Sequence, residues 1–186
     1  LPSRMRGGKA RPTISPPPPA VSNASRELAP ASNCTGLSAS LPAKECAAWQ
    51  AFYDAAGGHS WTNCSGNRLT PCDCHGSRTE GEPTCQEGHI AVISLSSHNM
   101  VGSISLGLGQ LTELTTLQLT DNDLSGSLPS DLVNLNNLTF AGVAYNHLTG
   151  PVPELPFQNY TRDCCLTYDE SGKPHTNHFD CPLPSN

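Results

Sequence analysis

The sequence predicts an α/β solenoid, a short right-handed stack of repeats with a parallel β-sheet, a helical amino-terminal cap and disulfide-stapled caps at both ends. The first observation is a pattern of apolar residues that returns every 24 residues between Ile90 and Pro153, in three copies. The second is a segment before these copies that has apolar side chains at helical spacing. The third is that all nine cysteines lie outside the repeats, six before them and three after them.

Each copy carries the same kind of side chain at the same position. The recurring residues are Ile90/Leu114/Leu138, Ile93/Leu117/Ala141, Leu95/Leu119/Val143, Met100/Leu124/Leu148, Ile104/Leu128/Val152, His98/Asn122/Asn146 and Gly102/Gly126/Gly150. A Leu-x-Leu unit predicts a short strand whose alternate side chains point inward. The asparagine amide can satisfy backbone groups where the chain leaves the strand, and the glycine permits a tight bend. We therefore expect one sheet of three to four parallel strands on the concave side.

The pattern L-x-x-L-x-L-x-x-N-x-L-x-G-x-[IL]-P resembles the leucine-rich repeat, in the plant-type extracellular form that secreted proteins of algae and protists also carry. The copies depart from it at His98 and Ser105 in the first repeat and at Ala141 in the third. Terminal repeats are commonly atypical. The resemblance implies four segments, which are an arm at 1–33, a Cys-rich cap at 34–89, the repeats at 90–156 and a closing cap at 157–186.

The arm at 1–33 has almost no large apolar side chains, so it cannot build a core, and its prolines favour polyproline II. It contains Ser15 followed by Pro16, Pro17, Pro18 and Pro19. This unit resembles the repeat of extensins, the hydroxyproline-rich glycoproteins of plant and algal walls. The resemblance implies hydroxylated and arabinosylated prolines and a galactosylated serine. The alternative is an unmodified proline-rich linker.

Charge is divided unevenly along the chain. The arm carries five basic residues against one acid, a net charge of +4, and the remainder carries five basic and fifteen acidic residues, a net charge of −10. A basic arm on an acidic body can be attracted to the body of another copy or to an acidic matrix polysaccharide. The alternative is a solvated charged tail.

The cap contains a predicted helix from Pro42 to Ala56 that ends at Gly57 and Gly58. Its Cys46, Trp49, Phe52 and Tyr53 fall on one face and are expected to cover the open end of the first repeat. The stretch SWTNCSGNRLTPCDCHG resembles the amino-terminal cap of plant and protist leucine-rich repeat proteins. The closing segment, with its Asn-His-Phe-Asp-Cys run, resembles their carboxyl-terminal cap, in which Asn177 begins a degenerate last turn.

Cysteines clustered at the ends of a stack predict disulfides formed in an oxidising compartment. The predicted disulfide residues are Cys46, Cys64, Cys72, Cys74, Cys85, Cys164, Cys165 and Cys181. Nine is an odd number, so one thiol is left over. Cys34, at the junction of arm and cap, is the predicted intermolecular thiol, with Cys164 or Cys165 as the alternative. Zinc is a weaker interpretation of the Cys and His residues, because their spacing lacks the paired ligands of zinc sites.

Several features indicate a secreted glycoprotein. Five Asn-x-Ser/Thr sequons occur, at Asn23, Asn33, Asn63, Asn137 and Asn159. No stretch approaches the roughly 18–20 apolar residues of a membrane span. We therefore expect a mature, extracellular chain at a cell surface or in a matrix, with covalently attached glycans and without a membrane span. The alternative is a part of a larger precursor or of a protein with a membrane anchor elsewhere.

Ligand contacts in repeat proteins of this kind are expected on the outward positions of the concave strands. The predicted contact residues are Thr116, Gln118, Thr120, Phe140 and Tyr145. The further outward positions are Val92, Ser94, Ser96, Ser97, Asp121, Gly142 and Ala144. Aromatic residues anchor interfaces, so Phe140 and Tyr145 are the strongest candidates. The alternative for Phe140 is packing under the closing cap.

The sequence carries none of the common catalytic or cofactor-binding motifs, so we expect neither an enzyme nor a bound cofactor. An acidic body and a basic arm without interleaved aromatics disfavour nucleic-acid binding. The predicted function is an extracellular protein–protein interaction or structural module, a glycosylated component of a cell-surface, wall or filament assembly that can self-associate through its arm. The alternative is a module that recognises a peptide, a glycan or a secreted enzyme through its concave face, by resemblance to receptor ectodomains and polygalacturonase-inhibiting proteins.

Overall fold

The computed structural model describes residues 34–74, 85–155 and 177–179, and the backbone at 160–161. The predicted arm and most of the predicted closing cap lie outside these ranges. The predictions for Ser15, Pro16, Pro17, Pro18, Pro19, Asn23, Asn33, Asn159, Cys164, Cys165 and Cys181 therefore remain predictions.

The cap contains the one α-helix of the described residues, α1 (Ala43–Ala55), which matches the predicted helix. Pro42 precedes α1, and its fixed backbone angle suits a helix start. Gly57, with φ of +69°, follows the helix end, where the left-handed conformation favours glycine. Short 3₁₀ helices at Gly36–Ser38, Gly58–Ser60 and Pro71–Asp73 complete this part of the chain.

The described strands are, in chain order, β1 (Cys85–Gln86), β2 (His89–Ile90), β3 (Val92–Ser94), β4 (Val101–Ser103), β5 (Thr116–Gln118), β6 (Asp123–Ser127), β7 (Phe140–Gly142), β8 (His147–Gly150), β9 (Tyr160–Thr161) and β10 (His178–Phe179). β1 and β2 form an antiparallel hairpin. The others form two parallel sheets, which we call the first sheet (β3-β5-β7-β9) and the second sheet (β10-β8-β6-β4).

The two sheets differ in register. In the first sheet Val92 pairs with Thr116, and Thr116 with Phe140, so the pairing keeps the 24-residue period. In the second sheet Gly102 pairs with Leu124, a separation of 22 residues. Only one sheet was expected from the sequence, because the glycine-containing segments were interpreted as bends. The structure corrects this interpretation, since these segments pair as strands although Gly102, Gly126 and Gly150 have φ of +119°, +81° and +80°.

The predicted inward positions form the core. Residues at these positions, including Ile90, Ile93, Leu95, Met100, Leu114, Leu117, Leu119, Leu124, Leu138 and Leu148, are buried. The 3₁₀ helices Leu106–Gln110 and Ser130–Asn134 close the first two repeats opposite the first sheet and pack on each other, and α1 packs on the first of them. Recurring parallel strands around one apolar core define a leucine-rich-repeat-like α/β fold.

A column of buried amides joins the repeats. The Oδ1 of Asn122 accepts hydrogen bonds from the backbone N–H groups of His98 and Met100, both at 3.0 Å. The Oδ1 of Asn146 accepts from Leu124 N–H, and that of Asn177 from Leu148 N–H, also at 3.0 Å. Asn177 therefore takes the same place as the repeat asparagines, as expected for a degenerate last turn.

Candidate functional site

Three disulfides cross-link the amino-terminal cap, at Cys34–Cys46, Cys64–Cys74 and Cys72–Cys85. The prediction of Cys34 as the intermolecular thiol is therefore corrected. Cys34 is buried and bonded to Cys46 of α1, because the chain at the start of the cap packs against this helix instead of leaving it. In the cap, the zinc interpretation loses the thiolates of Cys72 and Cys74, since both are bonded to other cysteines. The second zinc-like run, at Cys164, Cys165 and Cys181, lies outside the described residues.

An aromatic cluster fills the cap and belongs to the core rather than to a ligand site. Trp61 lies at the centre, with its ring 6.0, 5.7 and 5.1 Å from the rings of Trp49, Phe52 and Tyr53. The indole N–H of Trp49 donates to Asn67 O, and that of Trp61 donates to Ala56 O, both at 2.8 Å. Burial raises the pKa of Tyr53, and the nearby Asp54 carboxylate adds to this effect.

The junction of cap and repeats contains a buried carboxylate that sequence reasoning missed. Glu45, in the first turn of α1, is 1% exposed. Its Oε2 accepts the backbone N–H of Ile90 at 3.0 Å, and its Oε1 lies 2.7 Å from Nδ1 of His89. This hydrogen bond raises the pKa of His89. Glu45 lies on a helix with no sequence motif around it, so no local pattern pointed to this role.

Four of the five predicted contact residues lie on or shortly after β5 and β7 of the first sheet, and the fifth, Tyr145, lies three residues beyond β7. Thr116 and Gln118 lie on β5, on either side of the inward Leu117. Phe140, on β7, is half-buried and pairs with Thr116. Thr120 follows β5 and its hydroxyl lies 3.3 Å from Nε2 of Gln118. The alternation expected of a strand is thus present, and contact with a ligand stays a prediction.

Three other outward positions are not accessible. Val92, Gly142 and Ala144 are buried, so the prediction of them as surface positions was wrong. Gly142 is buried because the Gln118 side chain lies over it. The Gln118 Oε1 is 2.1 Å from the point that a Cβ on Gly142 would take.

A column of left-handed residues follows the strands of the first sheet. Ser97, Asp121 and Tyr145, each 24 residues apart, have φ of +56°, +59° and +52°. The Ser97 hydroxyl donates to Asp121 Oδ2 at 2.6 Å. Tyr145 is 46% exposed and forms the aromatic end of this column. The 24-residue spacing aligned these residues, but none is a glycine, so the sequence did not reveal the backbone conformation.

The second sheet carries a shallow apolar groove where its strands lead into the 3₁₀ helices. The groove has a volume of about 470 Å³. Its apolar lining residues are Ile104, Leu106, Leu128, Pro129 and Pro151. Leu106 is 70% exposed and Val101, on β4, is 53% exposed. Large apolar side chains are normally covered, so this face is a second candidate interaction surface.

The two described sequons lie on the surface. Asn63 is exposed, and its Nδ2 is 3.3 Å from Nε2 of His98, the residue that replaces asparagine in the first repeat. Asn137 is exposed and donates from Nδ2 to Thr112 O at 3.1 Å and to Glu113 Oε2 at 3.0 Å. Both side chains are accessible to a glycan, and occupancy stays a prediction.

Over the described ranges, no three His, Cys, Asp or Glu side chains are grouped so that they could hold a metal ion. A search of the same residues found no helix with the length and apolar character that crossing a bilayer requires.

No protein-family model matches the chain, and no curated protein matches it. Among solved structures, it is similar to the leucine-rich repeat ectodomain of the receptor kinase SOBIR1 from Arabidopsis thaliana, with 22% identity and a TM-score of 0.48 over 64% of this chain and 66% of that one. It is also similar to the BIR3–SERK2 complex from Arabidopsis thaliana, with 25% identity and a TM-score of 0.40 over 61% of this chain and 65% of that one.

A third similar structure is the ectodomain of the plant receptor kinase GASSHO1/SCHENGEN3 from Arabidopsis thaliana in complex with CASPARIAN STRIP INTEGRITY FACTOR 2, with 21% identity and a TM-score of 0.36 over 54% of this chain and 15% of that one. The chain therefore spans less than two thirds of each of these structures. Each TM-score is below 0.5, so these similarities support no functional conclusion. The fold class follows from the chain's own strands and repeats.

Proposed function

We propose that this chain is a non-catalytic extracellular interaction module, a glycosylated component of a cell-surface, wall or filament assembly whose right-handed solenoid body joins other macromolecules. Cysteine pairing is the observation that carries the proposal. Six of the nine cysteines pair with one another in the amino-terminal cap, which leaves three, Cys164, Cys165 and Cys181. Three thiols cannot all pair with one another, so at least one of them is left for a bond to a partner outside these residues, which we propose is another chain. Disulfides in the cap also favour an oxidising, extracellular compartment.

The division of charge supports the same function. A net charge of +4 on residues 1–33 and of −10 on the remainder gives each copy a basic end and an acidic body. Two copies can therefore attract each other head to body, and such attraction brings thiols of different chains together. In this proposal the basic arm of one copy binds the acidic body of another and so contributes to self-association.

The covalent part is tested on the full chain by electrophoresis with and without reductant. We expect a covalent dimer or larger species that reductant converts to monomer, and loss of this species when Cys164, Cys165 and Cys181 are replaced together by serine. A monomer with one titratable thiol per chain would contradict interchain bonding. The cap disulfides serve as the internal control, because reduction must also release their six thiols.

The electrostatic part is tested by replacing Arg4, Arg6, Lys9 and Arg11 with glutamine in the full chain. Both chains are sedimented with Cys164, Cys165 and Cys181 replaced by serine, which removes the covalent contribution and keeps the cap disulfides. We expect association of the native chain at low salt, which weakens at high salt because salt screens exposed charges. The glutamine variant should remain monomeric at both salt levels. Equal sedimentation of both chains as monomers would overturn self-association through the arm.

The exposed Tyr145 favours a second candidate function, recognition of a peptide, glycan or secreted enzyme by the first sheet. Tyrosine is enriched at interface centres, and the half-buried Phe140 lies on β7, the strand that precedes Tyr145. The native chain, Tyr145→Ala and Val133→Ala can be compared on glycan and peptide arrays. Val133 is an exposed residue of a 3₁₀ helix and is the control. Equal array binding by all three chains would contradict a role of the first sheet.

A further inference from the structure

The groove on the second sheet is an apolar feature of the described surface that the proposed function does not use. It runs from Leu106 in the first repeat to Pro151 in the third. Ile104 and Leu128 form its buried floor. A volume of about 470 Å³ is within the usual range for a ligand site, roughly 300–1,000 Å³.

We propose that this groove is the docking site for the tetraproline segment Pro16–Pro19 of the same chain. The arm is then anchored on the body, and the basic residues before the segment extend beyond the groove. This inference goes beyond the proposed function, because an anchored arm does not require a second copy.

The first argument is reach. The arm joins the body at Cys34, whose Cα is 5.8 Å from that of Cys46 in α1. Two residues further along α1, the Cα of Ala48 is 3.7 Å from the point that a Cβ on Gly107 would take, beside Leu106. The straight-line distance from Cys34 to the edge of the groove at Leu106 is therefore no more than about 20 Å.

The length of the intervening chain matches this path. Fourteen residues, 20–33, separate the tetraproline from Cys34. A flexible chain of this length has a root-mean-square span of about 20 Å and a maximum of about 50 Å. Effective concentration is highest when the span of a linker equals the distance to be bridged. The groove of the same chain is therefore favoured over that of a second copy.

The second argument is shape. Strands of a sheet are about 4.8 Å apart, and the two-residue offset of the second sheet adds about 6.7 Å along the strand, so equivalent side chains of successive repeats are about 8 Å apart. A polyproline II turn of three residues advances about 9 Å. Pro16 and Pro19 can thus meet equivalent positions on neighbouring repeats, and four prolines cover about 12 Å.

The third argument is hydrogen bonding. Prolines have no backbone N–H, so an apolar groove leaves no donor of the tetraproline unsatisfied. Their carbonyl groups need donors, and the groove is lined by the hydroxyl-bearing residues Ser103, Ser127 and Ser130. The opposite net charges of arm and body add a weak attraction.

Photo-crosslinking on the full chain tests the docking. The exposed Leu106 is replaced by p-benzoylphenylalanine, and the same substitution at the exposed Tyr145, which follows β7 of the first sheet, is the matched control. In a chain with Cys164, Cys165 and Cys181 replaced by serine, which keeps the cap disulfides, we expect irradiation to give a crosslink from position 106 to the peptide that contains Pro16–Pro19, within the monomer. Position 145 should give no crosslink to this peptide. Replacement of all four prolines by serine should abolish the crosslink at position 106.

Equal mixing of ¹⁵N-labelled and unlabelled chains identifies the source of the arm. Crosslinks within one isotope class support the same-chain docking, and mixed-isotope crosslinks would overturn it in favour of a second copy. Absence of any crosslink between position 106 and the arm, with near-ultraviolet circular dichroism of the cap aromatics unchanged, would also overturn it. Sedimentation of the glutamine variant tests self-association separately, so the two ideas can fail independently.

Discussion

The amino-terminal cap and the repeats are held together by different kinds of interaction. The cap has three disulfides and a cluster of four aromatic rings. Residues 90–153 contain no cysteine and rely on aliphatic side chains and on the asparagine column. A repeat obtains its contacts from an equivalent neighbour, whereas the cap has such a neighbour on one side only. The comparison indicates that cross-links and large rings replace the missing neighbour.

Alanine substitutions of two glycines at the same repeat position show how much the contact with the cap contributes to the free energy of unfolding. A Cβ at Gly102 would lie 2.2 Å from Ala55 O of the cap, whereas at Gly126 the nearest atom, the Cβ of Ser103, is 3.9 Å away. Both residues have positive φ. We expect Gly126→Ala to cost about 1–2 kcal/mol from the backbone alone, and Gly102→Ala to cost more than about 4 kcal/mol. Urea unfolding measures both values, and equal costs would show that the contact between cap and repeat is unimportant.

The asparagine column tests the repeats. Asn146 is buried, and its Nδ2 donates to Leu119 O, Val143 O and Ala144 O while its Oδ1 accepts from Leu124 N–H. Asn146→Ala leaves these backbone groups without a partner, so we expect a loss of about 3–4 kcal/mol in the free energy of unfolding. The exposed Asn134→Ala is the control and should change it by less than about 0.5 kcal/mol. A small effect at Asn146 would mean that water replaces the amide.

Removing one disulfide shows how much the cross-links contribute to the stability of the cap. Cys72 and Cys85 are 13 residues apart and join two sides of the cap. Replacing both by alanine should lower the free energy of unfolding by about 3 kcal/mol, because the unfolded chain gains the entropy of an open loop. Hydrogen exchange should then increase in the cap more than in β5 and β7. Equal increases in both regions would contradict the division between cap and repeats.

The smallest expected effect is the pH dependence of the junction. The Glu45 hydrogen bond raises the pKa of His89 above its ordinary value of 6.5, and Glu113 favours the same direction while Lys44 opposes it. The stabilisation of the folded state by the His89–Glu45 interaction is therefore complete below about pH 6.5 and is lost as the pH rises through the raised folded-state pKa of His89. His89→Gln should remove this dependence, by less than about 1 kcal/mol because His89 is partly exposed. The control is His59→Gln, on the exposed surface of the cap. Parallel stability curves for native protein and His89→Gln would contradict the assignment.

Periodicity explains what the sequence could predict. The inward columns, such as Ile93 and Leu117, repeat at a fixed spacing, and burial follows directly from such a pattern. The cap helix had a similar basis in the spacing of Trp49, Phe52 and Tyr53. Asn177 was recognised because its neighbours preserve part of the repeat pattern.

Features that depend on contacts distant in sequence could not be predicted in this way. The second sheet consists of Gly- and Ser-rich strands without alternating apolar residues, so no period of two was visible. Glu45 acquires its role from the backbone of Ile90, 45 residues away. The pairing of Cys34 with Cys46 likewise depends on how the start of the cap packs against α1.

Asn177 has a consequence for the size of the molecule. Asn177 accepts the Leu148 N–H in the same way that Asn146 accepts the Leu124 N–H. The closing turn therefore makes a contact that any repeat could offer, not one specific to the third repeat. This hydrogen bond does not depend on the number of repeats that precede it. Whole 24-residue modules could therefore be duplicated or deleted in a gene without redesigning either terminus, and the length of such a protein can vary in steps while its ends remain the same.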